Sequence, residues 1–257
     1  MPHAMTALRE RLAVVSDLRD AAGVLGWDQR TMMAPRGVGA RAEQLGTLAR
    51  VTHELFTSEE TGALLEQAER AAASLDPDSD DACLVRITRR DYEKARRVPA
   101  ELRADISRTS SLATPIWSEA RRRSDWDMFL PQLETAIDLR RRYVDCFEPA
   151  DEDYDVLLDD YEPGMTTAEV RAVFAEMKAG LVPLISEIAA RSGAVDDSFL
   201  RGAYPIERQR TLERRILDAF GFTPESWRLD ETVHPFQSMS RTCSARLAKA
   251  IRSPSIS

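Results

Sequence analysis

Histidine and carboxylate side chains are the residues of this 257-residue chain that could hold a metal ion and activate water. The three histidines are His3, His53 and His234, and they lie in unrelated segments. A catalytic zinc site takes about three protein ligands and keeps one open position, and a helical H-E-x-x-H motif presents two imidazoles on one face. The sequence contains no such pair. We therefore predict no metal ligands in this chain and interpret His53 as a structural histidine within a helix.

The segment from Glu148 to Glu162 is the other cluster of candidate ligands, with eight acids and no base. Within it, the stretch Asp151 to Asp160 could bind a divalent cation, but its spacing fits no EF-hand loop, and apolar residues such as Val156 and Leu157 interrupt it. We predict a polar rim or a turn here rather than a cation site. Serine-nucleophile, P-loop and dinucleotide-binding signatures are absent as well. Residue chemistry alone therefore discloses no reaction.

Charge and cysteine usage bear on the compartment and the partners. Cys83, Cys146 and Cys243 are far apart, and the chain shows neither a signal peptide nor a run of about 18 apolar residues. We expect a cytoplasmic protein with no membrane partner. The net charge is −8, and the arginine clusters at 121–123 and 140–142 have acids nearby. This pattern favours solvated helix faces, so we expect no nucleic-acid partner.

The elements that carry these residues are predicted to be helices. Glycine and proline are few, at 11 and 13 residues, and apolar residues recur at helical spacing. The first helix is predicted over residues 5–22, ending at Gly23 and Gly26. Further helix starts are predicted at a Thr57–Glu60 capping box, Asp78 or Ser79, Pro99, Ser124, a Thr166–Glu169 capping box and Pro205. No convincing hairpin is found, so the predicted fold class is all-α, a multi-helix array.

Four ordered blocks between residues 24 and 242 resemble the thermostable (Taq-type) zinc carboxypeptidase family. The blocks are Trp27-Asp28-Gln29 with Met33, Pro35, Gly37 and Arg41; Tyr154 to Met165; Gln209 with Leu217 to Phe222 and Asp230; and His234-Pro235-Phe236, which matches the family's His-Pro-Phe motif. The resemblance implies the N-terminal part of a neurolysin-like helical zinc peptidase. It also implies a cytoplasmic protein, usually a homodimer, that releases C-terminal amino acids from peptides.

The resemblance implies roles for a few residues. In such a peptidase the substrate lies in a groove between two helical walls, while zinc polarises the scissile carbonyl and a glutamate base activates water. This chain would supply one wall, with His234, Pro235 and Phe236 as the expected substrate-binding residues. The alternative for His234 is a structural turn fixed by Pro235. Asp28 and Gln29 are expected to form hydrogen bonds within the fold beside Trp27.

The resemblance ends before the family's zinc helix. An Asp-x-Arg-x-Thr block and then H-E-x-x-H should follow the His-Pro-Phe motif, but Thr242 is followed by Cys243, and residues 237–257 carry four bases and no acid. We interpret residues 1–236 as the helical N-terminal half of a carboxypeptidase Taq-like domain. Residues 237–257 are interpreted as a divergent tail that results from a frameshift or premature stop. The alternative is that this short tail is the protein's genuine sequence and has diverged from the family.

This departure limits the activity expected of the chain. Zinc is the cofactor implied for the full-length family, but none is expected for this chain, in which we identify no catalytic residue. The chain is therefore expected to be inactive alone, with a peptide substrate by family resemblance. The alternative function is a non-catalytic helical binding or dimerisation module.

Overall fold

The computed structural model describes residues 2–223, 225, 228–238 and 246–250. Most of these residues are helical, which confirms the predicted all-α class. The chain divides into two compact units, residues 1–146 with 224–257, and residues 147–223. The first unit contains α1 (Pro2–Thr31), α2 (Val38–Thr57), α3 (Glu59–Ala72), α4 (Asp80–Arg96), α5 (Ala100–Arg123) and α6 (Trp126–Val144). The second contains α7 (Asp153–Leu158), α8 (Thr167–Ala190) and α9 (Ile206–Ala219).

The core of the first unit lies among α1 to α4. Leu8 and Leu65 are fully buried, and Phe56 packs edge-on against Tyr92 with 6.1 Å between ring centroids. Helix α5 packs against α2 and α6, and Tyr143 of α6 is fully buried beside them. Burial of these large side chains supplies the main driving force for bringing the helices together. None of the described helices is both long and apolar enough to cross a membrane.

The first helix is longer than the sequence predicts. The prediction that it ends at Gly23 and Gly26 is wrong, because α1 continues through both glycines to Thr31. Glycine in a helix interior costs roughly 1 kcal/mol relative to alanine. Tertiary packing outweighs that cost here, since Trp27 is buried in the last turns of the helix. The longer helix carries the Trp-Asp-Gln block as part of its own surface.

Three predicted helix starts are wrong by one residue. Ser58, rather than Thr57, caps α3, because Ser58 Oγ accepts a hydrogen bond from the Thr61 backbone N–H while Thr57 still belongs to α2. Asp125, rather than Ser124, caps α6, since Ser124 adopts the left-handed conformation that ends α5. Pro99 likewise precedes α5 as its cap residue instead of occupying the first helical position.

Other predicted termini are confirmed. Ser79 caps α4, and both hydrogen bonds of the Thr166–Glu169 capping box are present at the start of α8. Pro205 precedes α9, and Gly221 follows it with a positive φ of 74°. Each of these termini depends on a hydrogen bond or a backbone dihedral preference within a few residues, so it can be predicted from local sequence.

A small three-stranded sheet follows the helices, although the sequence predicted no hairpin. Its strands are β1 (Arg228–Thr232), β2 (Phe236–Ser238) and β3 (Arg246–Ala250), in the order β1-β3-β2. Strand β3 pairs in parallel with β1 and antiparallel with β2. Strands β1 and β2 are therefore not paired as a hairpin. The predicted division at residue 236 stays a prediction, since residues 239–245, with Cys243, and 251–257 lie outside the described residues.

Candidate functional site

The end of α1 is fixed by hydrogen bonds from Asp28 and Gln29. The Gln29 amide donates to the Ser111 carbonyl at 2.8 Å and accepts from the Ser111 hydroxyl at 2.9 Å. The Asp28 carboxylate accepts from Arg41 Nη2 at 2.7 Å, and Arg41 also donates to the Leu25 carbonyl. Both side chains thus bond within the fold, as predicted. They join α1 to α5 and to α2, and they hold the helix end in a defined orientation.

Trp27 connects the same helix end to strand β1. Its indole N–H donates to Asp230 Oδ2 at 3.0 Å, and Asp230 also pairs with Arg228 at 2.9 Å. The Arg228 guanidinium lies 4.8 Å from the Trp27 ring centroid. Trp27 is 8% exposed and the Asp230 side chain 10%, so the carboxylate needs both donors in this nearly dry position. This contact determines where the strand and the turn after it lie.

The turn between β1 and β2 lies against α5. Arg121 Nη1 donates to the Val233 carbonyl at 3.1 Å, and the His234 ring meets Trp117 edge-on with 5.9 Å between centroids. His234 Nδ1 lies 2.9 Å from the Pro235 carbonyl, which can only accept, so Nδ1 donates. In the neutral ring Nε2 is then an acceptor for a bound molecule.

These contacts enclose a cleft of about 600 Å³ within the first unit. Its lining comes from the end of α1 and the residues after it, from α5 and from the β1–β2 segment: Gln29, Arg30, Met33, Pro35, Val38, Thr114, Pro115, Trp117, Ser118, Thr232, Val233, His234 and Phe236. The lining combines apolar and aromatic residues with nearly as many polar ones, a mixture that suits a small organic ligand or a short peptide segment.

Arg30 is the charged residue of this lining. Its guanidinium lies 4.5 Å from the Phe236 ring centroid, and desolvation lowers the pKa of Arg30 from its usual value. An arginine nonetheless keeps its charge at neutral pH. The cleft therefore presents one positive charge beside aromatic side chains.

Two of the three predicted substrate-binding residues line the cleft. His234 and Phe236 contribute to the lining, whereas the exposed Pro235 between them does not. Sequence reasoning missed Arg30 and Trp117. Arg30 directly follows the Trp-Asp-Gln block, and this proximity is the one sequence signal that could have suggested it. Trp117 lies one helical turn after Thr114, which is a weaker signal. The sequence does not indicate that either side chain faces the β1–β2 turn.

The three histidines do not meet. His3 lies in the first turn of α1, His53 in α2 and His234 after β1. His53 Nε2 donates to the Val98 carbonyl at 2.7 Å, which fits the predicted structural role. No group of three histidine, cysteine or carboxylate side chains among the described residues is placed to share a metal ion. These residues do not fit a zinc ion.

The acidic segment in the second unit binds its own backbone. Asp155 accepts from the Thr167 N–H at 2.6 Å, and Asp159 from the Gly164 N–H at 2.9 Å. Hydrogen bonding from Thr167 lowers the pKa of Asp155. Glu152 pairs with Arg171. These carboxylates order the turns that lead into α8. The predicted turn is found only after residue 158, because residues 153–158 of the acidic segment form helix α7.

The chain is similar to known carboxypeptidases over most of its length. A sequence profile for "Carboxypeptidase Taq (M32) metallopeptidase" matches residues 7–256. Thermostable carboxypeptidase 1 of Thermus thermophilus is 38% identical over 229 residues, which are 86% of this chain and 45% of that protein. Carboxypeptidase 1 of Bacillus subtilis is 32% identical over 86% of this chain and 44% of its own length.

Solved structures show the same relationship. The crystal structure of BsuCP has a TM-score of 0.89 at 28% identity, covering 97% of this chain and 50% of that one. The chain thus spans about half the length of the relatives that it matches. Profile, sequence identity and fold agree, and the chain belongs to the carboxypeptidase Taq (M32) family of metallopeptidases, which are metallocarboxypeptidases and hence hydrolases.

Proposed function

We propose that this chain forms one wall of the peptide-binding groove of a zinc metallocarboxypeptidase, and that peptide binds in the cleft between α1, α5 and the β1–β2 turn. The observation that carries the proposal is the cleft itself. It combines the apolar surfaces of Trp117 and Phe236 with hydrogen-bonding groups, among them the His234 ring. A peptide offers the same combination of apolar side chains and hydrogen-bonding amides.

The His234 ring is the polar group expected to bond the peptide backbone. His234 Nε2, left as an acceptor when Nδ1 donates to the Pro235 carbonyl, would accept a peptide N–H. His234 and Phe236 would contact the peptide directly, while Pro235 would hold the turn that presents them. Both roles considered for His234 from the sequence are then compatible, because the turn fixed by Pro235 orients the ring that binds the peptide.

Peptide binding tests this proposal without requiring catalysis. The uncharged peptide Ac-Ala-Phe-Ala-NH₂ is titrated into ¹⁵N-labelled chain, and we expect shifts confined to cleft residues and saturable binding. Replacing Phe236 by alanine should weaken binding several-fold, whereas the same change at Trp126, which is 60% exposed and outside the cleft lining, should leave it unchanged. Equal binding by both variants, or no binding at all, would contradict the proposal.

The activity of this polypeptide by itself is proposed to be absent. A catalytic zinc takes about three protein ligands, and the described residues bring no such group together. We expect zinc well below one per chain by elemental analysis and no chelator-sensitive release of C-terminal amino acids, with the Thermus thermophilus relative as positive control. Near-stoichiometric zinc together with chelator-sensitive release would overturn this expectation.

We also propose that the full-length enzyme binds zinc as its cofactor. The same proposal includes a cytoplasmic location, a homodimer and no nucleic-acid partner. A non-catalytic binding or dimerisation module is the second candidate, and the exposed apolar side chains of α8 favour it. The coding DNA after residue 257 separates the two. An H-E-x-x-H in any reading frame supports the peptidase, and its absence supports the module.

A further inference from the structure

We propose that Arg30 binds a carboxylate of the peptide in the cleft, so that the cleft prefers peptides carrying a negative charge beside an apolar residue. This inference rests on the proposed function, because it names a contact and a substrate class for the same cleft. The carboxylate can come from an Asp or Glu side chain or from the peptide C-terminus.

The contacts of Arg30 leave its hydrogen-bond donors available. The guanidinium lies over Phe236, with 4.5 Å to the ring centroid. A cation–π contact of this kind does not use up the N–H donors of the guanidinium. The described residues provide neither an ion-pair partner nor a hydrogen-bond acceptor for this side chain. A planar, bidentate acceptor such as a carboxylate matches these donors.

Three neighbouring arginines, Arg41, Arg228 and Arg121, differ from Arg30 in this respect. Arg41 pairs with Asp28 at 2.7 Å, and Arg228 pairs with Asp230 at 2.9 Å. Arg121 donates to the Val233 carbonyl. Each of these side chains fixes part of the cleft wall through a partner in the fold. Arg30 is exposed on the cleft surface and has no such partner among the described residues, so its donors are open to a bound molecule.

The charge of the cleft lining is opposite in sign to the net charge of the chain. Among the described lining residues Arg30 is the one Arg, Lys, Asp or Glu, whereas the whole chain carries a net charge of −8. Long-range electrostatics therefore disfavour an anionic peptide. Arg30 is exposed, so its donors are solvated in the free protein and an incoming carboxylate replaces water at them. Any preference for acidic peptides has to come from a local contact with Arg30.

The test compares four peptides by isothermal titration calorimetry or NMR. Ac-Ala-Phe-Ala-NH₂ and Ac-Gln-Phe-Ala-NH₂ are uncharged, Ac-Glu-Phe-Ala-NH₂ carries a side-chain carboxylate, and Ac-Ala-Phe-Ala with a free C-terminus carries the terminal one. At least one anionic peptide should bind about tenfold more tightly than its uncharged counterpart, as a charge-assisted hydrogen bond predicts. The anionic peptide that shows the gain identifies the source of the carboxylate.

Variants locate the contact. Arg30→Leu should abolish the preference while retaining binding of the uncharged peptides, and Arg30→Lys should keep part of it. Arg36→Leu removes the same charge from a nearby exposed residue outside the cleft lining and should keep the whole preference. Equal affinity for charged and uncharged peptides, or an equal loss in the Arg36 variant, would overturn this inference alone. Failure of every peptide to bind would overturn the proposed function and this inference with it.

Discussion

At the residue scale, Trp27 joins α1 to strand β1 through a hydrogen bond to the nearly buried Asp230 carboxylate. Trp27→Phe keeps the aromatic volume but removes the donor. We expect the free energy of unfolding to fall by about 1.5–3 kcal/mol, the range for hydrogen bonds to charged groups. Urea denaturation followed by far-UV circular dichroism measures the loss. Trp126→Phe, at a 60% exposed position, should change stability by less than about 0.5 kcal/mol. Similar losses in both variants would contradict a specific role for the Trp27 donor.

His53 gives the first unit a pH-dependent stability at the same scale. Burial lowers the pKa of His53, partly opposed by its hydrogen bond to the Val98 carbonyl. The unfolded chain therefore binds this proton more readily, and stability decreases as the pH falls through the unfolded-state value of about 6.5. The urea midpoint should drop between pH 7.5 and pH 5.5. His53→Gln retains a donor but does not titrate, so its midpoint should vary less with pH. A parallel decline in both proteins would contradict this.

At the element scale, the neighbouring hydroxyls of Thr57 and Ser58 have different roles at the start of α3. Ser58 Oγ accepts from the Thr61 N–H at 3.2 Å and donates to the Leu55 carbonyl, whereas the Thr57 hydroxyl donates to the His53 carbonyl inside α2. Ser58→Ala should therefore lower the free energy of unfolding by about 1 kcal/mol. Thr57→Ala should cost less than half as much in the same urea titration. The reverse order would show that Thr57 is the cap.

At the scale of the whole molecule, α8 carries a row of exposed apolar side chains at helical spacing. Its members are Phe174, Met177, Leu181, Leu184 and Ile188, each 42–62% exposed. Apolar patches of this kind favour association. We expect the purified chain to be larger than a monomer by light scattering after size exclusion and to unfold with low cooperativity. A monodisperse monomer with one sharp transition would contradict this.

Variants test whether α8 causes that association. Leu181→Glu combined with Ile188→Glu should shift the chain towards the monomer, because a buried unpaired carboxylate is unfavourable. Ile87→Glu makes the same change at a 55% exposed position on α4 and should leave the association unchanged.

Most of the helical architecture follows from local sequence signals. The Thr166–Glu169 capping box, Ser79 and the Pro205 to Gly221 boundaries act through hydrogen bonds or dihedral preferences within a few residues, so the sequence alone determines them. The ordered motif blocks likewise establish the family, because they depend on residue identity and order. Even there, the sequence misplaced the caps of α3 and α6 by one residue, because Thr57 and Ser58, like Ser124 and Asp125, are adjacent residues of types that can cap a helix.

Only the tertiary structure decided where the cleft forms and which side chains line it. Burial of Trp27 carries α1 past two glycines, and its hydrogen bond to Asp230 spans 203 positions of sequence. The β1–β3 pairing is similarly nonlocal. No local periodicity encodes such contacts, because their free energy arises when distant elements exclude water together. For that reason the sequence identified His234 and Phe236 through a motif, whereas Arg30 and Trp117 became visible as their partners only in the folded chain.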